Sequence, residues 1–378
     1  MAKAMYIGVS DKSRKTKKAY IGVDGKARKI KKMYIGVNGV ARLFFSGSTQ
    51  FKYLKSITGL SNSVDYLAAA STTNYALFAG GTYQNDTRCN AVDVYNTSLS
   101  KHTTTTIPYS TEYPSWQNYG TTFNGCAVIA GGKTGDESSS DRVFVFNDSL
   151  SRSDYGLTFA AHNLGVGATS THVIIGGGKS NWDHNNNVSV NAFNSSFSRT
   201  ELANLTNGGP RLVASNKNYM IFAGGLVDSK AAEGYNTSLS KVSVPSLSAD
   251  RGGGVGLSVG QYLLFVYGGE TYSPGVTDVY NNSLTRSTTA RPPLGYAAYP
   301  VGTSLPEHAV VCAGLSTTHR TEAYAYDESL TLTSANITVG RVFTAMTALK
   351  NYAIIGGGKI SNGTEETTTN SVEVLTEV

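Results

Sequence analysis

The sequence predicts an all-β chain, a seven-bladed β-propeller closed by an N-terminal strand and preceded by a basic β-hairpin or meander arm. Three observations predict it. A short apolar run ending in small residues recurs seven times, as YALFAGG, CAVIAGG, HVIIGGG, YMIFAGG, LLFVYGG, HAVVCAG and YAIIGGG, with final glycines at Gly81, Gly132, Gly178, Gly225, Gly269, Gly314 and Gly358. The steps between them, 51, 46, 47, 44, 45 and 44 residues, match the length of a four-stranded blade. Beyond the glycines an alternating strand runs into an aromatic turn six times, as in VDVYNTSLS, VFVFNDSLS, GYNTSLS and TDVYNNSLT. Ahead of the array, a second repeat of 14 residues runs three times from Met5 to Ser46.

The arm comes first. MYIGVSDKSRKTKK (Met5 to Lys18), AYIGVDGKARKIKK (Ala19 to Lys32) and MYIGVNGVARLFFS (Met33 to Ser46) align without gaps. Asp24-Gly25 and Asn38-Gly39 are two-residue hairpin signals, because a type I′ turn needs positive φ at both central positions. Pairing across Asp24-Gly25 sets Val23 opposite Lys26 and Ile21 opposite Arg28, so apolar half-strands face cationic ones. Residues 1–46 carry twelve Lys and Arg against Asp11 and Asp24, a net +10, which leaves 20 basic and 24 acidic residues, net −4, for residues 47–378. Two-stranded ribbons are marginal alone in water. Residues 1–46 are therefore expected to dock onto a partner, with Tyr6, Tyr20, Tyr34, Lys26, Arg28 and Lys29 as candidate assembly residues. Nucleic acid is a poor partner, since this arm offers phosphate attraction without interleaved exposed aromatics or a groove-reading motif.

Residues 47–378 supply the blades. Each unit reads as an inner strand of small residues (YLAAAST from Tyr66, GVGATST from Gly165, GVGLSV from Gly254, YAAYPVG from Tyr296), the run into the glycines, the strand into the aromatic, and an outer strand. Small residues suit strands that converge on an axis. The Asn or Asp after each aromatic can bond its own backbone two residues on and tolerates left-handed geometry, which makes the tetrad a turn. The seventh unit stops after its third strand, SVEVLTEV, while Thr49 to Ile57 has no parent blade. Joining the two removes two exposed edges.

These residues resemble the kelch family over roughly residues 49–378: apolar run, Gly-Gly, variable loop, then an aromatic in the third strand. The sequence places Asn-x-Ser-Leu where kelch units usually carry a Trp. The YIGV-DGKARKIKK tandems are similar to N-terminal segments of structural proteins from tailed phages and prophages of Gram-positive hosts. That resemblance implies a virion protein, made in the host cytoplasm, whose arm meets other virion subunits.

Composition fits strands and polar turns, with 41 Gly, 23 Tyr and 15% charged residues. The first 30 residues hold no apolar stretch of signal-peptide type, and no run approaches the roughly 20 apolar residues of a membrane span. Cys89, Cys126 and Cys312 lack metal-ligand spacing and read as incidental thiols. No metal or other cofactor is expected. Enzymatic boxes are missing as well: no S-x-D-x-G-x-T-W motif of sialidase blades occurs, and the six His (His102, His162, His172, His184, His308, His319) fall in different units.

Two loops concentrate recognition chemistry. Ile107 to Gly120 holds Tyr109, Tyr113, Trp116 and Tyr119, and Lys179 to Asn187 holds Trp182, Asp183 and His184. Aromatic planes beside amides and carboxylates suit sugars, and in an up-and-down blade these loops emerge on one rim. The expected function is a non-enzymatic virion protein that binds a host-surface glycan or another subunit, of the tail-fibre and receptor-binding kind. A carbohydrate-active enzyme or lectin, and a bacterial interaction adaptor, are the alternatives.

Overall fold

A computed structural model describes residues 6–9, 12–15, 19–23, 26–30, 32–37, 40–46, 49–103, 105–108, 120–133, 139–180, 185–209, 212–225, 230–268, 275–293, 299–312, 314, 318–361 and 363–378, the backbone alone for those up to residue 46. Residues Phe51–Glu377 form one compact unit and the arm, to Gln50, belongs to another.

The larger unit is a seven-bladed β-propeller of four-stranded antiparallel sheets. Its inner strands are Ala68–Ser71, Gly120–Phe123, Gly165–Ala168, Leu212–Ser215, Gly254–Val259, Val301–Ser304 and Ala345–Leu349. In the first six blades the second, third and outer strands follow in chain order, as Tyr75–Ala79, Val92–Asn96 and Lys101–Thr103 do in the first. Neighbouring inner strands adjoin round the whole ring, Ala345–Leu349 meeting Ala68–Ser71. Their small residues are a packing necessity: a Cβ on Gly256 would lie 2.1 Å from the Val213 carbonyl oxygen of the preceding blade.

The seventh blade is closed by the N-terminal strand. Phe51–Ile57 pairs antiparallel with Val372–Glu377, from Val372 opposite Ile57 to Glu377 opposite Phe51, with one irregularity between Val374 and Leu375. Phe51 is buried and its ring lies 6.1 Å from that of His308 in the sixth blade, the two planes tilted by 35°.

The core lies between blades. Leu77 and Ala79 of the first blade pack with Ile129, Phe144 and Phe146 of the second, and Ile354 and Val374 of the seventh pack with Phe78 and Tyr95 of the first. The third-strand aromatics Tyr95, Phe146, Phe193, Tyr235, Tyr280 and Tyr326 are all buried. Three of them meet a second-strand Phe edge-on, Phe78 with Tyr95, Phe222 with Tyr235 and Phe265 with Tyr280, at 5.9 to 6.1 Å. Such pairs contribute about 1 kcal/mol beyond their buried area.

All six aromatic turns form as side-chain-capped hairpins. Asn96, Asn147, Asn194, Asn236, Asn281 and Asp327 each accept N–H bonds from the residues two and four ahead, at 2.8 to 3.0 Å. The left-handed residue is not the Asn, as the sequence suggested, but the apolar one three later: Leu99, Leu150, Phe197, Leu239, Leu284 and Leu330 have φ between 55° and 63°. A left-handed L-residue costs roughly 1–2 kcal/mol, whereas burying a Leu contributes about 1.5–3 kcal/mol. Leu99, 7% exposed, recovers that cost.

The glycine pairs stitch blades together. Gly358 (φ +98°) donates its N–H to the Val64 carbonyl of the first blade at 2.8 Å, and a Cβ there would come within 2.6 Å of the Val342 oxygen. Gly178, Gly225 and Gly314 donate to Gly209, Arg251 and Arg341 of the next blade in the same way. In the fifth blade the register differs by one from the sequence reading. The second strand is Tyr262–Tyr267, and Tyr267 (φ 60°) with Gly268 (φ 101°) takes the left-handed pair that Gly80 and Gly81 hold in the first blade, one residue ahead of the Gly268-Gly269 on which the sequence ended the run. The sixth inner strand is described from Val301, two residues after Tyr299 (φ 55°), while residues 296–298 of the expected run lie outside the described residues.

Each 14-residue repeat of the arm is its own hairpin, so pairing runs within repeats rather than along a continuous meander: Tyr6–Val9 with Lys12–Lys15, Ala19–Val23 with Lys26–Ile30, and Lys32–Val37 with Val40–Ser46. Val23 faces Lys26 and Ile21 faces Arg28, in the expected register, and Tyr20 faces Lys29. Tyr6 faces Lys15 and Tyr34 faces Leu43.

Candidate functional site at the ring mouth

Among the described residues of the ring, two places gather polar or aromatic groups. The first is a cavity of about 480 Å³ lined by the inner strands of all seven blades. Its walls are rich in hydroxyls, several of which bind one another or the backbone: Ser71 Oγ lies 3.0 Å from Thr122 Oγ1 and 3.2 Å from Thr347 Oγ1, Ser258 Oγ lies 3.2 Å from Ser304 Oγ, and Ser215 Oγ accepts the Ala168 N–H at 3.2 Å. This girdle holds inner strands together across blade seams.

The second place is at the other end of the inner strands. Tyr299, Phe343 and Tyr66 belong to the sixth, seventh and first blades, and each stands two residues before its inner strand. All three have left-handed backbone, with φ of 55°, 54° and 51°. Bulky residues there are outliers that cost of order 1–3 kcal/mol each and cluster at functional sites. The strain brings the rings together: Phe343 lies 4.4 Å from Tyr66 and 4.6 Å from Tyr299, centroid to centroid. All three are only half-buried.

Charged groups flank the rings. Lys359, the first residue after the seventh glycine pair, holds its Nζ 6.0 Å from the Phe343 centroid and 3.3 Å from Asp65 Oδ2. It opens a two-stranded ribbon, Lys359–Ser361 with Glu366–Thr368, that the sequence did not announce. Gln84 of the first blade ties onto this ribbon, accepting the Thr368 N–H at 2.7 Å and donating to the Glu366 carbonyl at 3.1 Å. Asp65 is 2% exposed, and burial pushes its carboxyl up to about 6 although Lys359 pulls the other way. Thr82 shares two backbone hydrogen bonds with Asp65, at 2.9 and 3.0 Å.

Other ionisable groups are consumed by structure. Arg251 with Asp278 and Arg341 with Glu373 are fully buried pairs at 2.7 and 2.5 Å, and burial lowers the pKa of both guanidinium groups. His308 starts its second strand, as its repeat position implied, and sits 3.0 Å from Glu377 Oε2. Cys89 and Cys312 are buried and all three cysteines are free. Among the described residues no three His, Cys, Asp or Glu side chains come together.

Of the loop residues singled out in the sequence, Tyr109, Tyr113, Trp116, Tyr119, Trp182, Asp183 and His184 lie outside the described residues. The ring-mouth aromatics were missed. Their signal is an aromatic at a constant offset before three inner strands, which emerges only once strand registers are known. No family model matches the chain, and no curated protein matches it.

Proposed function

We propose that the chain is a non-enzymatic structural protein of a phage or prophage particle, attached through its basic arm and presenting a kelch-like ring that binds a host-surface saccharide or another subunit. One observation carries this reading: the ring has closed its own sheet, with Phe51–Ile57 as the last strand, whereas the arm is three two-stranded hairpins of a kind marginal alone in water. The ring needs no partner to be stable, so the arm is the part that gains by binding one. The net +10 of residues 1–46 steers that encounter toward an acidic surface.

Deleting residues 1–46 tests it. The remaining ring should melt as it does in the full chain, because Phe51–Glu377 is a compact unit of its own, and it should disappear from assembled particles. Incorporation at the parental level would overturn attachment through the arm.

A further inference from the structure

Beyond the three rings, the ring mouth holds two oxygens with nothing to bind. Asp65 Oδ1 and Thr82 Oγ1 are buried and have no hydrogen-bond partner, on residues 2% and 5% exposed. Asp65 and Thr82 face each other across an antiparallel bridge, which puts both side chains on the same side of the backbone pair. A buried acceptor left unsatisfied costs about 1–3 kcal/mol. Three strained aromatics and two orphaned oxygens thus concentrate at one seam, between the seventh blade and its neighbours.

We propose that Tyr66, Phe343 and Tyr299, together with Asp65, Thr82 and Lys359, form a binding site for an uncharged pyranose. The inference rests on the reading of the ring as a saccharide-binding module and assigns that role to the mouth rather than to the loops carrying Trp116 and Trp182. The division of labour follows from the chemistry of the groups. Ring faces take the apolar C–H face of a sugar, much as aromatic side chains take a nucleobase. The Asp65 carboxylate accepts a sugar hydroxyl proton at Oδ1, a bond of the stronger, charge-assisted class, and the Thr82 hydroxyl donates to or accepts from the neighbouring one. Lys359 is matched by Asp65 at 3.3 Å, so the seam offers no surplus positive charge to an acidic sugar. Neutral hydroxyl-rich ligands are the better fit.

The test titrates the full chain with the methyl pyranosides of glucose, galactose, mannose and N-acetylglucosamine, with glucuronate and N-acetylneuraminate as acidic counterparts. Saturation-transfer NMR should report a neutral pyranoside, and saturating sugar should protect Tyr66 and Tyr299 from nitration on the unmodified protein. Asp65→Asn, near-isosteric, and Phe343→Leu should each weaken binding at least 10-fold, while Trp116→Ala leaves it unchanged. Tyrosine protection keeps the inference testable should Phe343→Leu fail to fold. Binding that survives Asp65→Asn, leaves both tyrosines unprotected and is lost in Trp116→Ala or Trp182→Ala would overturn this site while leaving the saccharide reading of the ring standing. Binding of the acidic sugars alone would overturn the uncharged ligand, and no binding by any sugar would overturn both readings.

Discussion

Asp65 shows how one residue can carry a cost that the fold around it does not require. Burial holds its carboxyl at about 6 against an ordinary value of 3.8, with Lys359 opposing and Asp86 reinforcing the shift. The native protein therefore keeps a proton that the unfolded chain has already released, and stability falls as pH rises through this window. At roughly 1.4 kcal/mol per unit the whole shift is worth about 3 kcal/mol, most of it lost between pH 4 and 7. Asp65→Asn removes the titration and keeps the shape. The variant should gain on the parent by roughly 2–3 kcal/mol as pH goes from 4 to 7, read from urea midpoints at intervals of one pH unit. A difference that stays flat across the range would refute the buried, proton-holding carboxyl. The same substitution is expected to weaken sugar binding, so a gain in stability with a loss of binding separates the two roles.

At the scale of elements, the connections between blades are fastened by a position in the third strand two residues before the aromatic, or before Leu375 in the seventh blade. Asp93 accepts the Ser61 N–H at 2.9 Å, Asn191 that of Thr158 at 2.8 Å, Asp278 that of Ser248 at 3.0 Å and Glu373 that of Thr338 at 2.6 Å. Glu233 does the same for Thr206, and although burial alone would raise its pKa, Lys241 and the Thr206 N–H hold it below the usual range. The aromatic adds a second tie, with Tyr95 donating to the Thr58 carbonyl at 2.8 Å and Tyr280 to that of Pro245 at 2.7 Å. In the fifth blade the acid also holds Arg251, whose remaining N–H groups reach the Tyr267 and Val276 carbonyls at 2.6 and 2.8 Å. Arg251→Met fills the volume but takes the guanidinium donors away from Asp278 and from the Tyr267 and Val276 carbonyls. Breaking a buried pair in this way costs about 3–5 kcal/mol, reduced toward the lower figure here because Arg286 and Ser248 still reach Asp278. Chemical denaturation should show a loss near 3 kcal/mol, and a loss under about 1 kcal/mol would mean that the pair does not hold the connection.

For the whole molecule, what the sequence revealed and what it hid follow from one distinction. Periodic features were legible: glycine pairs, capped turns and the unpaired strand at Thr49 to Ile57 all repeat or fail to repeat along the chain, and the ring follows from them. Tyr267 was misplaced because Gly268-Gly269 imitates the pair of the other blades, while the backbone uses Tyr267 in the left-handed place of the first glycine. Tyr66, Tyr299 and Phe343 were invisible as a group because ring closure, not sequence proximity, brings the first blade against the seventh. That closure has a direct consequence. A chain starting at residue 58 keeps Thr58 to accept the Tyr95 hydroxyl but loses Phe51–Ile57, baring the edge of Val372–Glu377, whose Val374 and Leu375 are completely buried in the intact ring. An open apolar edge recruits other strands, so this fragment should aggregate or melt well below a chain starting at residue 49. A peptide of residues 51–57 added in trans should restore part of the difference by supplying the missing strand. If the shorter chain stays monomeric with the melting temperature of the longer one, the ring is held without its N-terminal strand, and the closure does not contribute to its stability.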